Sequence, residues 1–260
     1  MLYPALKARI LKGSPTEAYP LGELPKAPPA FTGLPTWHQD LCQRCGQCRA
    51  ACLTEAIEVA GDQHSPACEW QLDIGKCILC GLCIDACPQR AITATGKYDL
   101  AQLSNPQILG DAIGKRISRL YKRSLHIRHV DVGSCNACDW EMNALLNPVY
   151  DIQRLGIDFV ASPRHADMLM VTGTPTANLA EALRLTYEAA PQPCLVMALG
   201  TCAISGGLFA QAAACQSRVN QYVPVHVYVP GCPPRPQAIL HGLWLLLERA
   251  EQLCLVDGRC

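Results

Sequence analysis

Between residues 125 and 250 the chain alternates short apolar runs with stretches of helical period. The apolar runs predict strands at Ile127–Val132, Ile157–Val160, Met168–Thr172, Leu195–Leu199 and Val225–Val229. Between and after them, apolar residues spaced by three and four predict helices over Asp139–Leu146, Thr176–Ala190 and Pro236–Ala250. Strands alternating with helices predict a parallel sheet covered by helices. Glycines punctuate the strand ends at Gly133, Gly200, Gly206, Gly207 and Gly231, where backbone has to come close to a bulky neighbour.

Upstream the pattern changes three times. Residues 97–124 read as a connector: Ile108, Leu109, Ala112, Ile113, Ile117, Leu120 and Tyr121 fall on one helical face, with Asn105-Pro106 at its start. Its other face is basic, with Lys97, Lys115, Arg116, Arg119, Lys122, Arg123 and Arg128 against Asp99 and Asp111 over residues 97–128. Such a face suits either an anionic membrane surface or the solvated side of a docked helix. Residues 37–96 hold an internal repeat. Cys42, Cys45, Cys48 and Cys52 recur 35 residues later as Cys77, Cys80, Cys83 and Cys87, and Ala56-Ile57 recurs as Ala91-Ile92. A repeat of this kind predicts a pseudo-two-fold module. Residues 1–36 carry seven of the twenty prolines, which excludes a central strand or a continuous helix. They read as an extended arm lying on a neighbour or as a mobile tail.

Composition narrows the function classes. The 260 residues suffice for about two domains. With 22 basic and 22 acidic residues, nothing draws the whole chain to nucleic acid or an anionic membrane, and three Phe offer few stacking platforms. The cysteines, seventeen in number, cannot all pair as disulfides. The opening residues lack a long apolar segment and a twin-arginine pair, so the expected compartment is a reducing cytoplasm, where clustered cysteines read as metal ligands. No apolar run approaches the ~20 residues that span a bilayer.

The spacing C-x2-C-x2-C-x3-C, present twice, is that of two-cluster iron–sulfur modules in which the fourth cysteine serves the other cluster. It assigns Cys42, Cys45, Cys48 and Cys87 to one 4Fe–4S cluster and Cys77, Cys80, Cys83 and Cys52 to another. Pro88 follows Cys87 as the pattern expects, whereas Leu53 stands where the first copy would have its proline. Zinc is the competing reading, but zinc sites generally pair C-x2-C motifs across a longer loop. Cys135, Cys138, Cys202 and Cys232 each follow a predicted strand, at the sheet edge where open α/β folds gather ligands, and read as a third four-thiolate site. Buried structural cysteines are the alternative there. Cys68, Cys194, Cys215, Cys254 and Cys260 receive no ligand role.

The loops Gly133-Ser-Cys-Asn-Ala-Cys-Asp-Trp-Glu141, Ser162-Pro-Arg-His-Ala-Asp167, Gly200-Thr-Cys-Ala with Gly206-Gly207, and Pro230-Gly-Cys-Pro-Pro-Arg-Pro236 resemble the small subunit of membrane-bound group 4 [NiFe] hydrogenases, of the formate hydrogenlyase and hydrogenase-4 type. That subunit is related to the 20 kDa-type subunit of respiratory complex I. Residues 14–98 resemble the two-cluster ferredoxin-like subunit of the same complexes, so the chain looks like both subunits fused head to tail. Cys135-Asn136-Ala137-Cys138 is the separated form seen in hydrogenases, whereas the complex I relative has adjacent cysteines; Ala137 departs from the glycine common there.

The resemblance implies a flavodoxin-like α/β domain over 125–260 behind a small α+β ferredoxin-like domain over 37–96, with three 4Fe–4S clusters in all. The third would be proximal to a nickel–iron centre on a separate large subunit. It further implies an oxidoreductase subunit without a complete active site of its own, held by membrane subunits at the cytoplasmic face of the inner membrane. Its electron donor would be formate dehydrogenase, CO dehydrogenase or ferredoxin. By the same resemblance Arg164, His165 and Asp167 lie beside the third cluster, and Glu141 is a candidate for proton transfer, or simply a helix-start carboxylate. A complex I-like quinone reductase module and a zinc-stapled interaction protein are the rival readings.

Overall fold

The computed structural model describes residues 13–60, 69–104, 124–215 and 218–257. The predicted connector helix and most of its basic face therefore lie outside the described residues.

The sequence repeat is a structural repeat. Strand β1 (Pro35–Trp37) pairs antiparallel with β4 (Ile92–Ala94), and β2 (Ile57–Ala60) with β3 (Glu69–Leu72). A shift of 35 residues carries Trp37 opposite Ile92 onto Leu72 opposite Ile57. The same shift carries helix α1 (Gln47–Ala50) onto α2 (Leu82–Asp85). It also superposes backbone conformation. Arg44 and Leu79 both have φ 58°, and Glu55 and Arg90 both have φ 51°. Side chains bearing a Cβ hold left-handed conformations only where the surroundings impose them, and such positions cluster around ligands. Ile57, Cys83 and Ile92 form the small core between the two halves.

The second unit is a six-stranded sheet. Strand β6 (Leu125–Asp131) lies between β7 (Ile157–Phe159) and β8 (Met168–Thr172), followed by β9 (Leu195–Leu199) and β10 (Val227–Val229), all parallel. The resulting order, β7-β6-β8-β9-β10, is that of the flavodoxin-like doubly wound fold. A two-residue strand, β5 (Gln102–Leu103), adds antiparallel to the outer edge of β10, a feature the apolar pattern did not predict. Strands β8 and β9 are buried at every position, as central parallel strands covered on both faces must be.

The pleat sends alternate residues to two cores. Met168, Met170, Met197 and Leu199 pack with α3 (Ala137–Ala144) and α6 (Pro236–Asp257), through residues such as Met142, Ile239 and Leu243. Leu169, Val171, Val196 and Ala198 pack on the other face with Leu183 of α4 (Ala180–Ala189). Each Val, Leu, Ile or Met among these contributes roughly 1.5–3 kcal/mol on burial. Among the described residues no helix is long and apolar enough to cross a membrane.

The proline-rich segment from residue 13 onward runs over the α/β unit. Its Glu17 N–H donates to the Val149 carbonyl at 2.8 Å, and Arg154 donates to the carbonyls of Glu17 and Tyr19. Phe31 meets Tyr98 edge-on at 6.1 Å, and the Arg235 guanidinium lies over both rings. Tyr98 donates its hydroxyl to the Pro25 carbonyl.

Candidate metal centres

Two quartets of thiols form within the repeat. Cys42, Cys45, Cys48 and Cys87 line one small cavity with Trp37 and Trp70. Cys52, Cys77, Cys80 and Cys83 line its pseudo-symmetric counterpart with Pro35 and Leu72. In each, three cysteines come from one copy of the motif and the fourth from the other. The tight loop after each first cysteine explains the triplet, because Gly46 and Gly81 open the short helices at φ 70° and 80° and turn the third cysteine back toward the first two. The fourth cysteine accepts a hydrogen bond from the backbone four residues on: Ala56 N–H donates to Cys52 Sγ and Ala91 N–H to Cys87 Sγ, both at 3.2 Å.

The third quartet is assembled by the sheet. Strands β6, β9 and β10 run parallel, so the loops that follow them emerge at one edge. Burial pushes the Cys138 thiol well above its ordinary range, and Cys202, Cys232 and Cys135 push it further. Burial raises Cys202 up to about 11, with Cys232 and Cys135 adding to it. Gly200, at φ 88°, closes the site from β9; a Cβ there would meet Cys138 Sγ at 2.6 Å. Behind the cysteines, Asp139 accepts from the hydroxyls of Ser134 at 2.6 Å and Thr172 at 2.7 Å. It also lies 3.0 Å from His129 Nε2. Burial lowers the His129 pKa against the pull of Asp139. Asp131 accepts from the N–H groups of Gly133 and Ser134 at 2.8 and 2.7 Å, fixing the turn out of β6.

These supports escaped the sequence reading. The turn signal at Asp131-Val132-Gly133-Ser134 was legible, but the Thr172 and His129 partnerships depend on strand register.

The second and third quartets adjoin. The Thr201 hydroxyl, at the start of α5 (Thr201–Ser205), donates to the Cys77 carbonyl at 3.0 Å, and the thiol of Cys232 feels Cys80 as well as Cys135.

The donor set fits iron–sulfur groups. Burial raises the thiols of Cys48, Cys77 and Cys83, the last up to about 12, so bare thiolates are disfavoured until a cationic group holds them. Among the described residues no three of His, Cys, Asp or Glu converge to hold a single metal ion. Four thiols lining one small cavity, twice over, suit a polynuclear iron–sulfur group. The indole N–H groups of Trp37 and Trp70 are buried beside the first quartet; Trp70 is directed at Cys48, and Trp37 has no partner among the described residues, as an acceptor-rich group in that cavity would explain.

Other expected residues fall differently. Arg164, His165 and Asp167 precede β8, at the amino edge of the sheet, whereas all four cysteines of the third quartet follow carboxyl ends. The five residues of β8 separate the two edges by roughly 16 Å. The expectation that this loop lies beside the third site is therefore corrected. There Asp167 holds His126 instead, accepting its backbone N–H at 3.0 Å with the ring Nδ1 at 3.2 Å. Glu141 stays on the cysteine side: burial pushes its carboxyl up, against the pull of Arg235 three residues beyond Cys232. Cys194 is buried in the core, Cys215 lies near Cys202, and Cys68, Cys260 and the side chain of Cys254 lie outside the described residues.

A flavodoxin-like sheet with a thiol quartet at its carboxyl edge, joined to a repeated cysteine module, defines an iron–sulfur-binding α/β protein. Comparison with known families agrees: residues 135–246 match the NADH ubiquinone oxidoreductase 20 kDa subunit family, and residues 41–91 match the 4Fe–4S dicluster domain. The chain is 46% identical over 142 residues to the probable membrane-bound hydrogenase subunit mbhJ of Pyrococcus furiosus, covering 54% of this chain and 85% of that protein. It is 37% identical over 160 residues to formate hydrogenlyase subunit 7 of Escherichia coli, covering 60% and 63%. It is 50% identical over 111 residues to a subunit of the NADH-quinone oxidoreductase of Desulfovibrio desulfuricans, covering 43% and 60%. The chain thus spans less than two thirds of the last two relatives. It belongs to the 20 kDa subunit family of NADH ubiquinone oxidoreductase, which includes hydrogenase subunits, and carries a 4Fe–4S dicluster domain ahead of it on the same polypeptide.

Proposed function

We propose that this chain is the iron–sulfur electron-transfer subunit of a membrane-associated group 4 [NiFe] hydrogenase complex. In this reading it relays electrons from a donor (formate dehydrogenase, CO dehydrogenase or ferredoxin) toward the nickel–iron site of a large subunit, where protons are reduced. The ligand sets are Cys42, Cys45, Cys48 and Cys87; Cys77, Cys80, Cys83 and Cys52; and Cys135, Cys138, Cys202 and Cys232. Each would hold a 4Fe–4S cluster, which supplies one-electron transfer when bound. Residues 37–96 and 125–260 form the two cluster-bearing units, residues 97–124 connect them, and residues 1–36 are the arm. The complex sits at the cytoplasmic face of the inner membrane, with this chain held there by its partners.

The supporting observation is the contact between the second and third quartets through Thr201, Cys77, Cys80 and Cys232. In this reading the second quartet links the other two, sharing its repeat with the first and adjoining the third. The chain's own work is then placement: backbone N–H groups steady the sulfurs, Gly200 lets β9 approach Cys138, and the Asp139 network holds the Cys135–Cys138 loop.

A complex I-like quinone reductase module is the second reading, favoured by the 50% identity to the quinone oxidoreductase relative. Anaerobic purification of the chain with its native partners separates the readings. The hydrogenase reading expects about twelve irons per chain, four for each cluster, and nickel in the complex. Iron without nickel would shift the assignment to the quinone module. Fewer than about eight irons, or zinc in their place, would sink both.

A further inference from the structure

The pseudo-two-fold relation between the first two sites is broken at two positions that face the sulfurs. The 35-residue shift places Leu72 where the first site has Trp37, and Pro35 where it has Trp70. The first site thus presents two indole N–H donors and the second presents none. Both indole nitrogens are buried; that of Trp37 has no hydrogen-bond partner among the described residues, and that of Trp70 is directed at the Cys48 thiol. The rings stack with centroids 6.1 Å apart and planes within 15°, so each supports the orientation of the other. Trp70 and Cys48 line the same cavity, so this donor already reaches one of the sulfurs that would hold the cluster. An unpaired buried donor costs about 1–3 kcal/mol, and native proteins rarely leave one without a reason. The acceptor that Trp37 lacks is one that a sulfur-rich cluster in that cavity would bring.

We propose that the indole N–H groups of Trp37 and Trp70 donate to sulfurs of the cluster at the first site and make it the higher-potential member of the pair. This rests on the reading that both quartets hold 4Fe–4S clusters. Reduction adds one electron to the cluster. No bond forms or breaks, and no proton leaves the indole. The donors stabilise the added negative charge, and hydrogen bonds to sulfur are an established control on cluster potential. The second site, ringed by Ile78, Leu79 and Leu82, offers the extra electron less support. An electron arriving at the chain therefore rests at the first site, and moves inward to the second only uphill or when drawn by the third.

The test is a redox titration of the iron-loaded full chain, reduced with dithionite and followed by EPR, in wild type and in Trp37→Phe, Trp70→Phe and the double variant. Phenylalanine keeps an aromatic ring and removes the donor. Each single change is expected to lower the reduced-to-oxidised ratio of one cluster about tenfold at fixed potential, about 59 mV for a one-electron couple. The other two clusters should hold their potentials at unchanged iron content. Unshifted potentials in the double variant, or equal shifts in all clusters, overturn the proposal. A wild-type measurement guards against variants that fold poorly: chain labelled with 15N at the indole should show 15N coupling to the highest-potential cluster of the repeat in pulsed EPR. Absence of that coupling, with clusters present, overturns the proposal as well. Absence of iron in the wild-type chain instead defeats the cluster reading on which it rests.

Discussion

His226 shows how a single residue links burial to pH. It stands just before β10 with 1% of its surface exposed, and its Nδ1 accepts the Val196 N–H at 2.9 Å. Burial holds its pKa down at about 4. The ordinary histidine value is about 6.5, so between those values the unfolded chain binds the proton and the folded chain does not. Its contribution is complete above about pH 6.5 and is lost as pH falls toward 4, a change of up to ~3 kcal/mol. Urea unfolding of the chain at several pH values should show this slope. His226→Gln, which cannot titrate but offers an amide oxygen to Val196, should flatten it; an unchanged slope would place the titration elsewhere. At the same scale, Gly200 and the paired left-handed residues Arg44 and Leu79 show conformation set by close approach to sulfur rather than by residue type.

At the level of elements, the arm from residue 13 onward joins no helix or sheet before β1, so isolated backbone bonds such as Glu17 to Val149 and side chains of the α/β unit hold it. Arg154 supplies two such bonds, to the carbonyls of Glu17 and Tyr19, and Gln237 of α6 donates to the Glu17 carboxylate at 3.1 Å. Arg154 is itself exposed, so its bonds compete with water and contribute only ~1 kcal/mol together. Arg154→Ala should therefore leave global stability nearly unchanged while raising the rate of proteolytic cleavage around residue 20 several-fold. Equal cleavage in both proteins would show that Tyr19 burial and the Gln237 bond suffice. The cysteine-bearing elements are held differently. Helices α1 and α2 have four residues each, too few for independent stability, and depend on the shared core of Ile57, Cys83 and Ile92.

Across the whole molecule, the decisive contact is where the repeat meets the sheet. Thr201 is 1% exposed, donates to the carbonyls of Cys77 and Gly231 at 3.0 and 3.2 Å, and accepts the Gly231 N–H at 3.3 Å. Thr201→Val keeps the shape and strands these buried groups, which should destabilise the chain by about 1–3 kcal/mol in urea unfolding. Thr201→Ser, which keeps the hydroxyl, should recover most of that loss. If valine and serine behave alike, the two units are held together by other contacts, such as that of Gly75 with Ile204.

The sequence by itself determined the repeat and the five parallel strands, because residue spacing and apolar runs are local quantities. Strand β8 was read to the residue, since a strand buried on both faces is uninterrupted Met-Leu-Met-Val-Thr between polar turns. The two-residue strand β5 was beyond reach, because its edge pairing with β10 leaves no periodicity to read. Only the tertiary structure decided what lies across space. It moved Arg164, His165 and Asp167 to the far edge of the sheet, since a motif before a strand and a motif after it are separated by the strand's own length. It brought Cys77 and Cys80 to the third quartet through Thr201 and Cys232. It also turned two tryptophans, 33 residues apart in the chain, into a stacked pair facing one group of cysteines. Those proximities follow from strand register and domain docking, which depend on the packing of the whole chain rather than on any one segment.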